Sequence, residues 1–200
     1  MTSSPSQYNP RRPSASNDAF AGFKRQECAS LYKMPKIERI KKRHLLKKRE
    51  QRLELEKLEN DFGSSIGLGP DVQLESGILD DGSRILLLNG DIVFFESEGR
   101  FFPTLNALLA GIIHIPKVTV DMGAVKFVVN GADIMRPGIT QVDDDVKENG
   151  IVSVVDERHG KPLAVGISSL SAAALRAATS GKVVRSIHHI NDELWDFSKQ

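Results

Sequence analysis

One cysteine stands in 200 residues, which rules out an internal disulfide. Cys28 fits a reducing compartment, so the expected setting is cytoplasmic. No run of about 18 apolar residues occurs, and nothing reads as a membrane-spanning helix. The first residues are rich in Ser, Pro and Asn without an apolar core segment, so no secretory leader is expected. No nucleophile–base motif, P-loop or dinucleotide fingerprint appears. Cys and His do not fall at metal-ligand spacing. The expectation is therefore a chain with no catalytic residue, no metal and no cofactor. No internal repeat is visible.

The net charge of +1 conceals an asymmetry. Residues 1–60 carry 15 Lys and Arg against 7 Asp and Glu, a balance of +8. Residues 61–200 carry 12 against 19, a balance of −7. A basic front on a mildly acidic body points to an anionic partner, nucleic acid first. Lys41, Lys42, Arg43, Lys47, Lys48, Arg49 and Arg52 are candidates to track a phosphate backbone. The competing reading is a solvated face with surplus lysine.

Residues 1–35 hold little apolar material and are expected to form a disordered tail. Met34 is a candidate native start, which would make the residues before it an extension. Residues 36–46 read as an edge strand or a short helix, which periodicity does not separate. Residues 47–60 read as a helix with Leu55, Leu58 and Phe62 on one face and Gly63 as its stop, followed by a loop to residue 71. Strands are expected over 72–79, 84–88 and 91–96, the last two joined by Asn89-Gly90, a strong type I′ hairpin signal. Pro103 opens a short helix to about Leu109. Residues 36–115 thus form one small α+β unit.

A second unit spans 116–200. Its order reads strand 117–121, helix 123–130, turn 131–138, and strands 139–142, 151–156 and 163–167. An alanine-rich helix over 168–178, a strand over 183–189 and a closing segment at 193–197 complete it. Short strands separated by turn signals suggest a small barrel or pseudobarrel. The fold class is α+β throughout.

Within this unit, DMGAVKFVVNGADIMRPGI (121–139) places three glycines and a proline around one apolar helix. One reading is a glycine-lined loop whose backbone N–H groups meet phosphate, with Lys126 and Arg136 adding charge. The other is a helix packed on a barrel with a tight exit turn. Val125, Phe127, Val128 and Val129 are assigned to the core, and Asp121 to the N-cap. On the closing strand, Lys182, Arg185 and His188 are candidate contacts. His188 and His189 alternate in face, so one of them is expected to be packed. Trp195 reads as a core plug and Asp143-Asp144-Asp145 as a solvated turn.

GADIMRPGI, then a strand, PLAVGIS, an Ala/Ser helix and VVRSIHHINDELW, resembles a PUA domain, a small RNA-binding pseudobarrel. Upstream, NGDIVFFESEGRFFPTLNALL leading into VTVDMGAVKFVVNGADIMRPGI resembles the family of malignant T-cell-amplified protein and translation machinery-associated protein 20. In that family a small pre-PUA α+β domain precedes the PUA domain. The resemblance covers about Lys36 to Phe197. It implies binding of structured RNA, ribosomal or transfer, on or near the small ribosomal subunit, in initiation or recycling. A translation-factor partner protein is implied with it. The candidate RNA contacts are Lys126, Gly131, Arg136, Pro137, Gly138, Lys182, Arg185 and His188 in the PUA-like groove, with Lys41, Lys42 and Arg43 of the basic run in front. The pre-PUA face would carry a protein partner or extend the RNA contact. The alternative is an RNA-targeting accessory of rRNA- or tRNA-modifying, pseudouridylation-type enzymes. The folded unit before the PUA-like part, 36–115, holds about 80 residues, too few for a synthase domain.

Overall fold

The computed structural model describes residues 32–35, 37–62 and 72–198. The expected disorder of the first 31 residues, the stop at Gly63 and the loop to residue 71 lie outside the described residues. Residues 32–35, read as tail from sequence, are packed. Tyr32 meets Phe102 edge-on at 5.3 Å, and Lys33 N donates to Ser97 Oγ at 3.0 Å. The polar average of the segment hid two apolar side chains, Tyr32 and Met34, that reach the core.

The first unit runs β1 (Ile40–Leu45), α1 (Lys48–Phe62), β2 (Leu74–Leu79), β3 (Arg84–Leu88), β4 (Asp91–Ser97), β5 (Arg100–Pro103) and α2 (Leu105–Leu109). Its five strands form an antiparallel meander in chain order. The segment that periodicity left open is the strand β1, with five of its six side chains exposed at the sheet edge. Helix α1 presents the expected face: Leu58 is fully buried, and Leu55 and Phe62 pack beside it. Asn89 and Gly90 take φ of 52° and 98°, both in the left-handed region that a type I′ turn requires. Strand β5 was not foreseen. Glu98-Gly99 repeats that geometry with φ of 49° and 76° and folds β5 back on β4. Glutamate seldom adopts positive φ, so the dipeptide carries little turn signal. The Thr104 hydroxyl starts α2, accepting from Ala107 N at 3.2 Å and donating to Ile92 O at 2.8 Å.

The second unit runs β6 (Lys117–Val120), α3 (Met122–Val128), β7 (Ile134–Met135), a 3-10 turn (Arg136–Gly138), β8 (Ile139–Val142), β9 (Ile151–Asp156), β10 (Pro162–Ser168), α4 (Ala172–Ala177), β11 (Lys182–His189) and α5 (Glu193–Phe197). Its sheet order is β7-β11-β10-β9-β6-β8, with β6 and β9 parallel and every other pair antiparallel. The two outermost strands, β7 and β8, are joined only by the three-residue 3-10 turn. The sheet therefore curls until its ends meet, which is the expected pseudobarrel.

Strands β9 and β10 are buried along nearly their whole length because alternate residues enter two cores. Val152, Val154 and Ala164 fill the barrel with Val118, Val120 and Leu175. Ile151, Val165 and Ile167 face outward into a second cluster that contains Leu86, Phe94, Phe95, Phe102 and Leu105 of the first unit. The two units thus share one core, against which Trp195 packs half-buried. Asp144 is the solvated turn residue expected, its carboxylate 2.5 Å from Arg176 Nη2 and largely exposed.

Asp156 ends β9 and accepts from the backbone N–H groups of Arg158 (3.0 Å), His159 (2.6 Å) and Lys161 (3.0 Å). Burial alone would raise its pKa, but these hydrogen bonds outweigh it and the net shift is downward. A carboxylate depressed in the folded state stabilises above its unfolded pKa, and that stability is lost as pH falls through the lower, folded value. Wild-type stability is therefore expected to decline on acidification below about pH 4. Asp156→Asn should flatten that decline while leaving little difference from wild type at the acid end. Thermal melts between neutral pH and pH 3 check it; parallel acid limbs for the two proteins would refute it.

Candidate nucleic-acid interface

The segment 121–139 forms a helix, a hairpin-like exit and a return strand along one rim of the barrel. Asp121 caps α3, its Oδ1 accepting from Ala124 N at 2.8 Å. Its own N–H donates to Gly138 O at 2.9 Å and closes the segment on itself. Helix α3 leaves at Gly131, where φ is +80°. β7 then pairs with the start of β11, Met135 opposite Lys182 and Ile134 opposite Val184.

Three of the loop's N–H groups are already committed. Gly131 N donates to Val128 O, Ala132 N to Phe127 O and Arg136 N to Gly181 O. These three are not free to cradle a phosphate. Arg136 likewise turns two of its guanidinium nitrogens to its own chain. Nε donates to Leu175 O at 2.6 Å and Nη1 to Ile139 O at 3.0 Å, tying the 3-10 turn to α4 and β8.

The rim instead presents apolar surface. Phe127 was assigned to the core, and the structure corrects this: it is 57% exposed. Successive helix positions rotate by about 100°, so a helix that buries Val128 and packs Ala124, Val125 and Val129 against the barrel turns position 127 outward. Met135 is 51% exposed and Met122 39%. Ala124, Phe127, Ile134, Met135 and Pro137 line an open cavity of about 500 Å³. Lys126 Nζ sits 4.8 Å from the Phe127 ring centroid, and Lys182 Nζ stands 2.8 Å from Asp133 Oδ2 with its side chain mostly exposed. Hydrophobicity alone placed Phe127 inside; helical phase along α3 is the signal that puts it outside.

The remaining candidates lie elsewhere. His188 is 1% exposed, the packed member of its pair. Its Nδ1 lies 2.6 Å from Asp192 Oδ2 and its ring meets Phe95 at 5.7 Å, inside the junction of the two units. Arg185 pairs across the sheet with Ile167, so its side chain shares the face turned to the first unit, and its Nη1 is buried. Gly131, Pro137 and Gly138 shape the rim; a Cβ on Gly138 would meet the Ala124 Cβ at 3.1 Å. On β1, Arg43 is bound to Glu75 through Nε (2.5 Å) and Nη2 (2.7 Å), and Lys41 Nζ donates to Asp80 O at 2.6 Å. The structure therefore groups Lys126, Lys182 and the 131–138 segment on one rim, and sets His188, Arg185 and the β1 cations apart from it. No group of acidic, His or Cys side chains among the described residues could hold a metal ion. No helix of the described residues is long and apolar enough to cross a membrane.

Residues 116–190 match the PUA domain family, and residues 42–110 match a domain of unknown function, DUF1947. An uncharacterised protein of Methanocaldococcus jannaschii is 36% identical over 159 residues, which is 79% of this chain and 98% of that one. Translation machinery-associated protein 20 of Saccharomyces cerevisiae is 31% identical over 132 residues, covering 63% and 73% of the two chains. Malignant T-cell-amplified sequence 1 of Danio rerio is 36% identical over 116 residues, covering 56% of this chain and 64% of its own length, just under two thirds. The crystal structure of a hypothetical protein of Pyrococcus horikoshii superposes with a TM-score of 0.67 at 32% identity, over 78% of this chain and 99% of that one.

Proposed function

This chain belongs to the family of malignant T-cell-amplified proteins and translation machinery-associated protein 20, which joins a DUF1947 domain to a PUA domain, and from that premise we propose that it binds structured RNA of the translation apparatus. The PUA domain implies RNA as the ligand. The name of the yeast relative supports a place in translation; this reading takes ribosomal or transfer RNA on the small subunit as the target and the cytoplasm as the setting. Initiation or recycling is the step this reading assigns, and the action is binding, without covalent chemistry.

The observation that carries the reading is the exposed rim of α3 and β7. An exposed phenylalanine beside an apolar cavity offers a base a stacking surface, with Lys126 over its ring as a cation for the phosphates and Lys182, paired with Asp133, close by. An unpaired nucleotide fits such a rim better than the closed grooves of a duplex. Arg136 acts from behind, holding the turn that presents Met135 and Pro137.

Phe127→Ala is expected to weaken binding of a fluorescent stem-loop RNA with a single-stranded 3′ end about tenfold, the scale of one lost base–aromatic stack. Its melting temperature should stay near wild type, because the ring buries little. Lys126→Ala should chiefly reduce the salt dependence of binding. Fluorescence anisotropy across a salt series measures both. Undiminished affinity in Phe127→Ala would sink the rim assignment. Co-purification with small ribosomal subunits supports the translational role, whereas co-purification with an RNA-modifying complex would replace it with the accessory one.

A further inference from the structure

Strand β1 lies at the end of its sheet and pairs with β2 alone. Leu46 N donates to Leu74 O at 2.9 Å, and the register sets His44 opposite Ser76 and Lys42 opposite Ile78. Bonded pairs alternate along an antiparallel ladder. Lys42, His44 and Leu46 therefore bond inward, and the N–H and C=O groups of Arg43 and Leu45 point out of the sheet. Among the described residues no strand meets them. Side chains on both faces are exposed from Lys41 to Leu45, and Leu45 itself is 53% bare. Leu45 opens onto a cleft of about 990 Å³ that runs along α1, with Leu46, Gln51, Leu55 and Val72 in its walls.

Charge around this edge is uneven. Arg43 and Lys41 are answered by Glu75 and Asp80 of the same sheet. Lys42, Lys47, Lys48, Arg49 and Arg52 have no ion-pair partner among the described residues. Lys47, Lys48 and Arg52 line the cleft where β1 passes into α1, while Glu56 and Glu59 line it further along the helix. Lysines on an open edge repel a second copy of the same edge, so self-pairing is disfavoured. Outward N–H and C=O groups in register match another backbone in full, whereas phosphate oxygens accept from the N–H groups only and leave the carbonyls unanswered.

We propose that the outer edge of β1 docks an extended acidic segment of a partner protein as an added strand, with an apolar side chain of that segment seated beside Leu45. Main-chain bonds to Arg43 and Leu45 supply affinity, and the cleft with Lys47, Lys48 and Arg52 in its lining supplies selection. This surface is separate from the α3–β7 rim, so either assignment can fail alone.

The probe is a capped heptapeptide alternating glutamate with valine and leucine, titrated into the full chain and followed by amide NMR and hydrogen exchange. The amides of Arg43 and Leu45 should shift and gain protection, while those of Lys42 and His44 keep the protection they already have. Leu45→Pro removes one outward donor and spares the Leu46–Leu74 bond, so it should weaken peptide binding about tenfold. Placing proline in the middle of the peptide should abolish binding in the wild-type chain and needs no protein variant to fold. The double reversal Lys48→Glu/Arg52→Glu should weaken the acidic peptide and leave Phe127-dependent RNA binding intact. Equal binding of a lysine-for-glutamate peptide, displacement by oligouridylate, or protection of Arg43 and Leu45 through dimerisation without peptide would each overturn the proposal.

Discussion

Replacing Asp192 by alanine is expected to lower the melting temperature by roughly 6–12 °C, the equivalent of about 3 kcal/mol in a chain of this length. Asp192 does three jobs from a nearly buried position. Oδ1 accepts from Trp195 N at 2.8 Å and caps α5. Oδ2 accepts from His189 N at 2.8 Å and lies 2.6 Å from His188 Nδ1. Losing a cap costs about 1 kcal/mol, and losing a buried hydrogen bond to a charged group about 2 more. Burial pushes the Asp192 pKa up, but the His188 hydrogen bond and charge, with the two backbone donors, pull it below the ordinary value of 3.8. The ionised carboxylate is therefore the form the fold prefers at neutral pH, and its contribution fades as pH drops below about 4. Asp192→Asn keeps the cap geometry and should recover about a third of the loss. A melting temperature within about 2 °C of wild type for Asp192→Ala would show that the pair is not a clamp between β11, α5 and the Phe95 face of the first unit.

The pattern of what could be read beforehand follows from how locally each feature is encoded. Asn89-Gly90, the apolar face of α1 and the cap at Asp121 are set by neighbours within a few residues, and each stands where the chain order placed it. The pseudobarrel follows from strand order, because β7 and β8 are too close in sequence to lie at the ends of a flat sheet. The site was less legible. Its residues were picked by type: glycines for a phosphate, arginines and a histidine for contact. In the fold Arg136 and His188 satisfy carbonyls and a carboxylate of their own chain. Burial of His188 depends on Phe95, 93 positions away in sequence, and no local pattern encodes that meeting. Phe127 is the opposite case. Its exposure was encoded in the helical phase of α3, which composition passed over.

Gly131→Ala is expected to cost about 2–3 kcal/mol, and the reason bears on why the 121–139 segment has its shape. The residue sits at φ +80°, where an L side chain is disfavoured by about 1–2 kcal/mol. Space adds to this. A Cβ there would stand 2.5 Å from His189 Nε2 and 3.0 Å from Cδ2 of the same ring. The ring is not free to leave, since its Nδ1 lies 2.8 Å from Ile190 O, and displacing it gives up that contact for about 1 kcal/mol more. Gly131→Asn separates the two causes: asparagine tolerates the left-handed region but keeps the clash. His189→Ala removes the clash and leaves the strain. If both contribute, the Gly131→Ala/His189→Ala pair should be less destabilising than the sum of its single changes by about 1 kcal/mol in a denaturant cycle. Strict additivity would mean that His189 yields freely and backbone conformation alone demands the glycine. RNA affinity read on the same variants completes the argument. Ala132 N bonds back to Phe127 O, so a shifted exit at Gly131 moves the aromatic rim with it. Gly131→Ala should therefore weaken RNA binding although the residue 131 N–H is already committed to Val128 O, and adding His189→Ala should restore part of that binding together with part of the stability.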